Sequence, residues 1–96
     1  MNRVCLSARD WATPAAAHEA LARALCFPDY YGRNLDALHD CLTTLTDTQL
    51  VIEDCAFPAS SMAQWPGFLT VFLDAAEENP RLSLRLLPGN GAYEQD

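Results

Sequence analysis

The sequence predicts an α/β domain in which a three-stranded parallel sheet packs with about four helices. Three observations lead there. Val4-Cys5-Leu6, Leu50-Val51-Ile52 and Leu82 to Leu86 are short apolar runs of strand length. Segments with helical spacing separate each run from the next, so the strands are joined by crossovers and run parallel. Ninety-six residues, half of them hydrophobic, suffice for one core without metals or disulfides.

In chain order, Val4-Cys5-Leu6 is the first strand. Thr13-Pro14 then supplies an N-cap with proline at the first helical position, and the helix runs to about Cys26. Ala17, Leu21, Ala24 and Leu25 form its narrow apolar face, which leaves His18, Glu19 and Arg23 on the polar side. Pro28 pushes Phe27 out of helix, and Gly32 offers a position for positive φ, so the chain turns here.

A second helix starts after Asn34, a good N-cap, with Asp36 complementing the helix dipole. Leu35, Leu38, Leu42 and Leu45 recur as its buried stripe. Asp36, His39, Asp40 and Thr43 fall at i, i+3, i+4 and i+7, so two carboxylates and an imidazole share the other face beside Tyr30-Tyr31.

Thr46 to Gln49 is a polar break. The continuous run Leu50-Val51-Ile52 suits a central strand covered on both faces. Pro58 to Gln64 reads as a short helix stopped by Trp65-Pro66-Gly67. Phe68, Leu69, Phe72, Leu73 and Ala76 mark another helix, ended by Asn79-Pro80. Leu82, Leu84 and Leu86 alternate with Ser83 and Arg85, as in a strand with one wetter face. The domain is expected to span residues 1–88, with an irregular tail over 89–96.

The net charge of −7, with no lysine, argues against direct nucleic-acid binding and for a cationic partner. The four cysteines, Cys5, Cys26, Cys41 and Cys55, show no metal-ligand spacing and read as separate buried thiols. No metal or cofactor is expected. The first ten residues lack a signal-peptide core and no stretch reaches membrane-span length, so a cytoplasmic, non-membrane protein is expected.

Two carboxylates one turn apart are ordinarily a solvated helix face. Exposed aromatic residues beside charges are typical of binding surfaces, and the tyrosine turn adjoins this strip. Asp36, His39 and Asp40 could in principle act as an acid–base cluster, but no activated nucleophile accompanies them and an exposed strip lacks the pocket that tunes pKa values. A calcium site on Asp36 and Asp40 has too few ligands.

Tyr30-Tyr31-Gly32, Asn34-Leu35-Asp36-Ala37-Leu38 and Asp40-Cys41-Leu42, ungapped, resemble the signature of the barstar family, small intracellular inhibitors of barnase-type ribonucleases. Weaker similarity runs from Val4 to Leu87. The resemblance implies a three-strand, four-helix fold and a basic ribonuclease, secreted or a toxin, as partner of a monomeric inhibitor with no catalytic role of its own. It implies that Asp36 and Asp40 pair with arginines and lysines of that enzyme, Asp40 as the central phosphate mimic. Tyr30 would stack on a catalytic-site side chain, Gly32, Asn34 and Leu35 would supply close and polar contacts, and Asp74 a peripheral acidic one. Tyr31 would be a packing residue. Departures from the family pattern are His39 for an aromatic residue, Thr44 for glycine, Leu45 for tryptophan and Arg33 for an acid. With Thr43, positions 39 and 44 are counted in the expected contact surface, and such misfits point to a different target nuclease or another basic toxin.

Overall fold

Three parallel strands, β1 (Asn2–Ser7), β2 (Thr48–Glu53) and β3 (Leu82–Leu86), lie in that spatial order in a computed structural model describing residues 2–56, 58 and 62–88. Val4, Leu50 and Leu84 stand in one row across the sheet, and Leu6, Ile52 and Leu86 in another. A 3-10 turn (Ala8–Asp10), α1 (Pro14–Leu25) and α2 (Leu35–Thr43) connect β1 to β2, and α3 (Trp65–Glu78) leads to β3.

Both crossovers move one strand over in the same direction. Right-handed connections of that kind place their helices on one face of the sheet. The core agrees: Leu50 and Ile52 pack with Leu21, Leu38, Leu42, Phe68 and Phe72, whereas Val51 is outside this cluster. Val51 is nonetheless 2% exposed. In the register it stands between Cys5 and Arg85, and its burial agrees with a strand covered on both faces.

The helix starts follow local chemistry. The Thr13 hydroxyl accepts the Ala16 N–H at 3.2 Å with Pro14 in the first turn. α3 begins at Trp65, with Pro66 in its first turn, so the segment expected as a stop is a start. Proline lacks only an N–H that the first turn leaves unbonded anyway. Before it, the Met62 N–H donates to the Pro58 carbonyl at 2.8 Å, one helical closure within the expected short helix 58–64, whose residues 59–61 lie outside the described residues. The expected tail over 89–96 lies outside them as well.

The cysteines correct an expectation. Only Cys55 is buried; Cys41 is half-buried, Cys5 and Cys26 are exposed, and all are free thiols. Cys5 lies on the face of an edge strand opposite Leu6 and Ile52, and Cys26 ends α1 in a left-handed conformation (φ 59°) with the Phe27 N–H reaching back to the Ala22 carbonyl at 3.0 Å. Among the described residues no helix is long and apolar enough to cross a membrane.

Candidate partner-binding surface

The tyrosine turn divides its two rings. The Tyr31 N–H donates to the Pro28 carbonyl at 2.9 Å, closing a tight turn. Tyr30 is thrown outward, 88% exposed, while Tyr31 is 6% exposed. Tyr31 packs on Phe27 with ring centroids 4.9 Å apart, and its hydroxyl lies 2.6 Å from Nδ1 of His18.

His18 is therefore buried, not on the surface as its neighbours suggested. The turn folds back over α1 and widens that helix's buried face. A second periodicity in the sequence carried this: His18, Leu21, Ala22 and Leu25 are themselves spaced i, i+3, i+4 and i+7. Burial, then the nearby Arg33 charge, holds the imidazole below its ordinary pKa, and burial pushes the Tyr31 phenol up. Both shifts favour the neutral forms, so the buried pair is joined by a hydrogen bond between uncharged groups.

The next three residues close the approach to α2. The left-handed residue is Arg33 (φ 54°), not Gly32. Gly32 leaves room beside the cap instead: a Cβ there would lie 3.1 Å from Nδ2 of Asn34, which donates to the Gly32 carbonyl at 3.3 Å. Oδ1 of Asn34 accepts the Ala37 N–H at 2.8 Å, capping α2. Arg33 is drawn toward α1, where it meets one oxygen of Glu19 at 2.7 Å, and Arg23 takes the other oxygen at 3.2 Å. The Arg33 hydrogen bond, with its charge, holds the Glu19 carboxyl below the usual range.

Along α2, Leu38 and Leu42 are buried, Leu35 is half-buried, and Asp36 and Asp40 are exposed, the Asp40 side chain by 87%. His39 is more enclosed. Its Nε2 lies 3.2 Å from Oε2 of Glu78 on α3, and its Nδ1 lies 4.0 Å from Oδ1 of Asp40. The Thr43 hydroxyl donates to the Asp40 carbonyl at 2.9 Å and that of Thr44 to the Cys41 carbonyl at 2.8 Å.

α3 holds α2 in place at both ends. Near its start, a Cβ on Gly67 would come within 2.9 Å of Cδ1 of Leu35, so glycine permits the close approach there. Beyond its end, Asn79 donates to the carbonyls of Leu42 at 3.0 Å and Leu45 at 2.9 Å and accepts the Arg81 N–H at 3.0 Å. Gly67, Val71, Asp74 and Glu78 follow one another at helical spacing between those contacts. Exposed Asp74 therefore stands on the α2 side of α3, alongside the acidic strip.

Tyr30, Gly32, Asn34 and Leu35 thus gather at the head of α2, Asp36, His39, Asp40, Thr43 and Thr44 line it, and Asp74 flanks it. Sequence reasoning passed over Glu78, and read Gly67 only as part of a helix stop and Asn79 only as a terminator. Burial and the neighbouring Asp40 push the Cys41 thiol up, away from the reactive thiolate. Among the described residues no three His, Cys, Asp or Glu side chains are grouped to hold a metal.

Comparison with known proteins adds two findings. The family model described as Barstar (barnase inhibitor) matches residues 1–87. A protein of Bacillus subtilis (strain 168) named "Putative ribonuclease inhibitor YrdF" is 38% identical over 81 residues, covering 81% of this chain and 89% of that protein.

Proposed function

Since this chain belongs to the barstar family, we propose that it is a protein inhibitor that closes the cationic active site of a barnase-like ribonuclease with α2 and the turn before it. The family's description is that of an inhibitor rather than an enzyme. The observation that carries the reading is the exposure of Tyr30 in the turn that leads into α2 together with the exposed carboxylates of Asp36 and Asp40 on that helix. Carboxylates held in a row can take the places of successive substrate phosphates, and a phenol ring can stack where a base would lie. Asp40 makes the central contact to arginine or lysine, Asp36 a second, and Asp74 a peripheral one. Gly32 and Asn34 let the nuclease approach the backbone, and Leu35, Thr43 and Thr44 border the contact.

The partner is basic and the inhibitor acts as a monomer in the cytoplasm, as an antitoxin or immunity protein against a nuclease of the same cell or a competitor. His39, Thr44 and Leu45, together with Arg33 engaged by Glu19, alter the rim of the surface and select among such nucleases.

The test titrates the purified chain into a barnase-type ribonuclease acting on RNA. Stoichiometric loss of activity is expected. Asp40→Ala should weaken binding by about 2–5 kcal/mol, the range for truncating one member of a desolvated charge pair, to which inhibitor–nuclease complexes of this family themselves contribute. Glu53→Ala, at the end of β2, is the control. A loss at Asp40 no larger than at Glu53 would remove α2 from the contact.

A further inference from the structure

The seam between α2 and α3 carries a group that neither the fold nor the acidic strip requires. His39 on α2 faces Oε2 of Glu78 through Nε2 at 3.2 Å and Oδ1 of Asp40 through Nδ1 at 4.0 Å. We propose that Glu78 is a positioning residue which, through His39, keeps the Asp40 carboxylate open to the partner, and that a second proton on His39 closes it. The proposal rests on the reading of Asp40 as a binding group.

A neutral imidazole has one N–H and one lone pair. A carboxylate only accepts, so Glu78 selects the form with hydrogen on Nε2. The lone pair on Nδ1 then faces Asp40. Two acceptors do not bond, and the Asp40 oxygens stay free for an incoming guanidinium. When the ring gains its second proton, Nδ1–H becomes a donor beside Oδ1 and competes for the same oxygen.

The surrounding charges reinforce this. Asp36 lies one turn before His39's neighbour Asp40 on α2, and Asp74 one turn before Glu78 on α3. Neither helix contains an arginine, so His39 is the only side chain of α2 and α3 able to become a cation. A basic partner would repel that cation while the carboxylates attract it. Masking of Asp40 and repulsion of the partner therefore act in one direction, and affinity falls on acidification.

Two measurements test it, the first without a partner. Nitrogen NMR of the imidazoles, with His39 assigned by His39→Gln, should show hydrogen on Nε2 in the neutral wild type and loss of that preference in Glu78→Leu. The second measures inhibition of a barnase-type ribonuclease between about pH 5.5 and 7.5, where imidazoles titrate. Wild type should lose more affinity on acidification than His39→Gln, the nuclease's own titrations being common to both. At the upper pH, Glu78→Leu should bind about two- to tenfold more weakly than Glu78→Gln, one hydrogen bond's worth. Glutamine removes the same charge but its carbonyl can still accept from Nε2, so it serves as the conservative rescue. Hydrogen on Nδ1 in the wild type, a tautomer unchanged in Glu78→Leu, equal affinities for the two Glu78 variants or equal pH slopes for wild type and His39→Gln would each overturn the proposal. If the nuclease is not inhibited at all, the functional reading fails, and the tautomer measurement still decides the role of Glu78.

Discussion

His18 and Tyr31 show how one hydrogen bond organises a recognition turn from beneath. The bond is buried, and that burial, followed by the Arg33 charge, lowers the pKa of His18 in the fold. The unfolded chain therefore takes up this proton first as pH falls. The stability that neutral His18 contributes is complete above the ordinary value of 6.5 and is lost as pH drops from there through the lowered folded value. Urea denaturation at pH 7.5 and 5.5 should show a steeper loss for wild type than for His18→Gln, and parallel losses would mean that His18 is not the group responsible. At this scale the sequence was partly legible. Two adjacent tyrosines in a tight turn must part, and the resemblance indicated which one packs inward. His18 was misplaced because its polarity was weighed above its spacing, and the left-handed residue was misassigned because glycine is the usual occupant while Arg33 is held there with its guanidinium on Glu19.

The helices add a second kind of support, since α2 is short and is clamped rather than self-sufficient. Asn79 satisfies two main-chain carbonyls at and beyond the C-terminal end of α2, one of them buried, and no other side chain type supplies two such donors together with an acceptor except glutamine, which is longer. Asn79→Ala should cost roughly 1–3 kcal/mol of stability, since the Leu45 carbonyl loses its Asn79 donor while the Leu42 carbonyl keeps the Leu45 N–H at 3.3 Å. It should also weaken nuclease binding, because the strip leans on that end. Thermal or chemical denaturation checks the first effect, and a change below about 0.5 kcal/mol, the size of an ordinary surface substitution, would dismiss the clamp. Strand and helix positions were readable from apolar spacing, including the central place of Leu50-Val51-Ile52. The start of α3 was not, since proline and glycine punctuate a chain whether a helix is ending or beginning. Gly67 carries its meaning only through Leu35, which is distant in sequence and close in space.

At the scale of the molecule, charge is unevenly laid out. α2 and α3 carry Asp36, Asp40, Asp74, Glu77 and Glu78 without an arginine, whereas Arg3 and Arg85 lie on the face of the sheet opposite Leu50 and Ile52. With a net charge of −7, this should draw a basic nuclease to the acidic side. Association should slow by about tenfold or more as the Debye length shrinks from about 30 Å at 0.01 M salt to about 3 Å at 1 M, with dissociation much less affected. Stopped-flow rates that stay flat across that range would show that the charge does no steering. The sign of this field was evident from composition, but its layout required the parallel register and the common hand of the two crossovers.

The clamp on α2 also sets a schedule. Apart from peripheral Asp74, the residues that would touch a nuclease are made in the middle of the chain, whereas Gly67, Glu78 and Asn79, which hold them, emerge from the ribosome later. At about 5–20 residues per second, synthesis from Thr43 to Asn79 takes roughly 2–7 s. During that interval a nascent chain carries the recognition residues without the frame that aligns them. An interrupted translation product ending before Asn79 would then be unable to tie up a nuclease, and the count of working inhibitors in a cell would follow completed chains, not started ones.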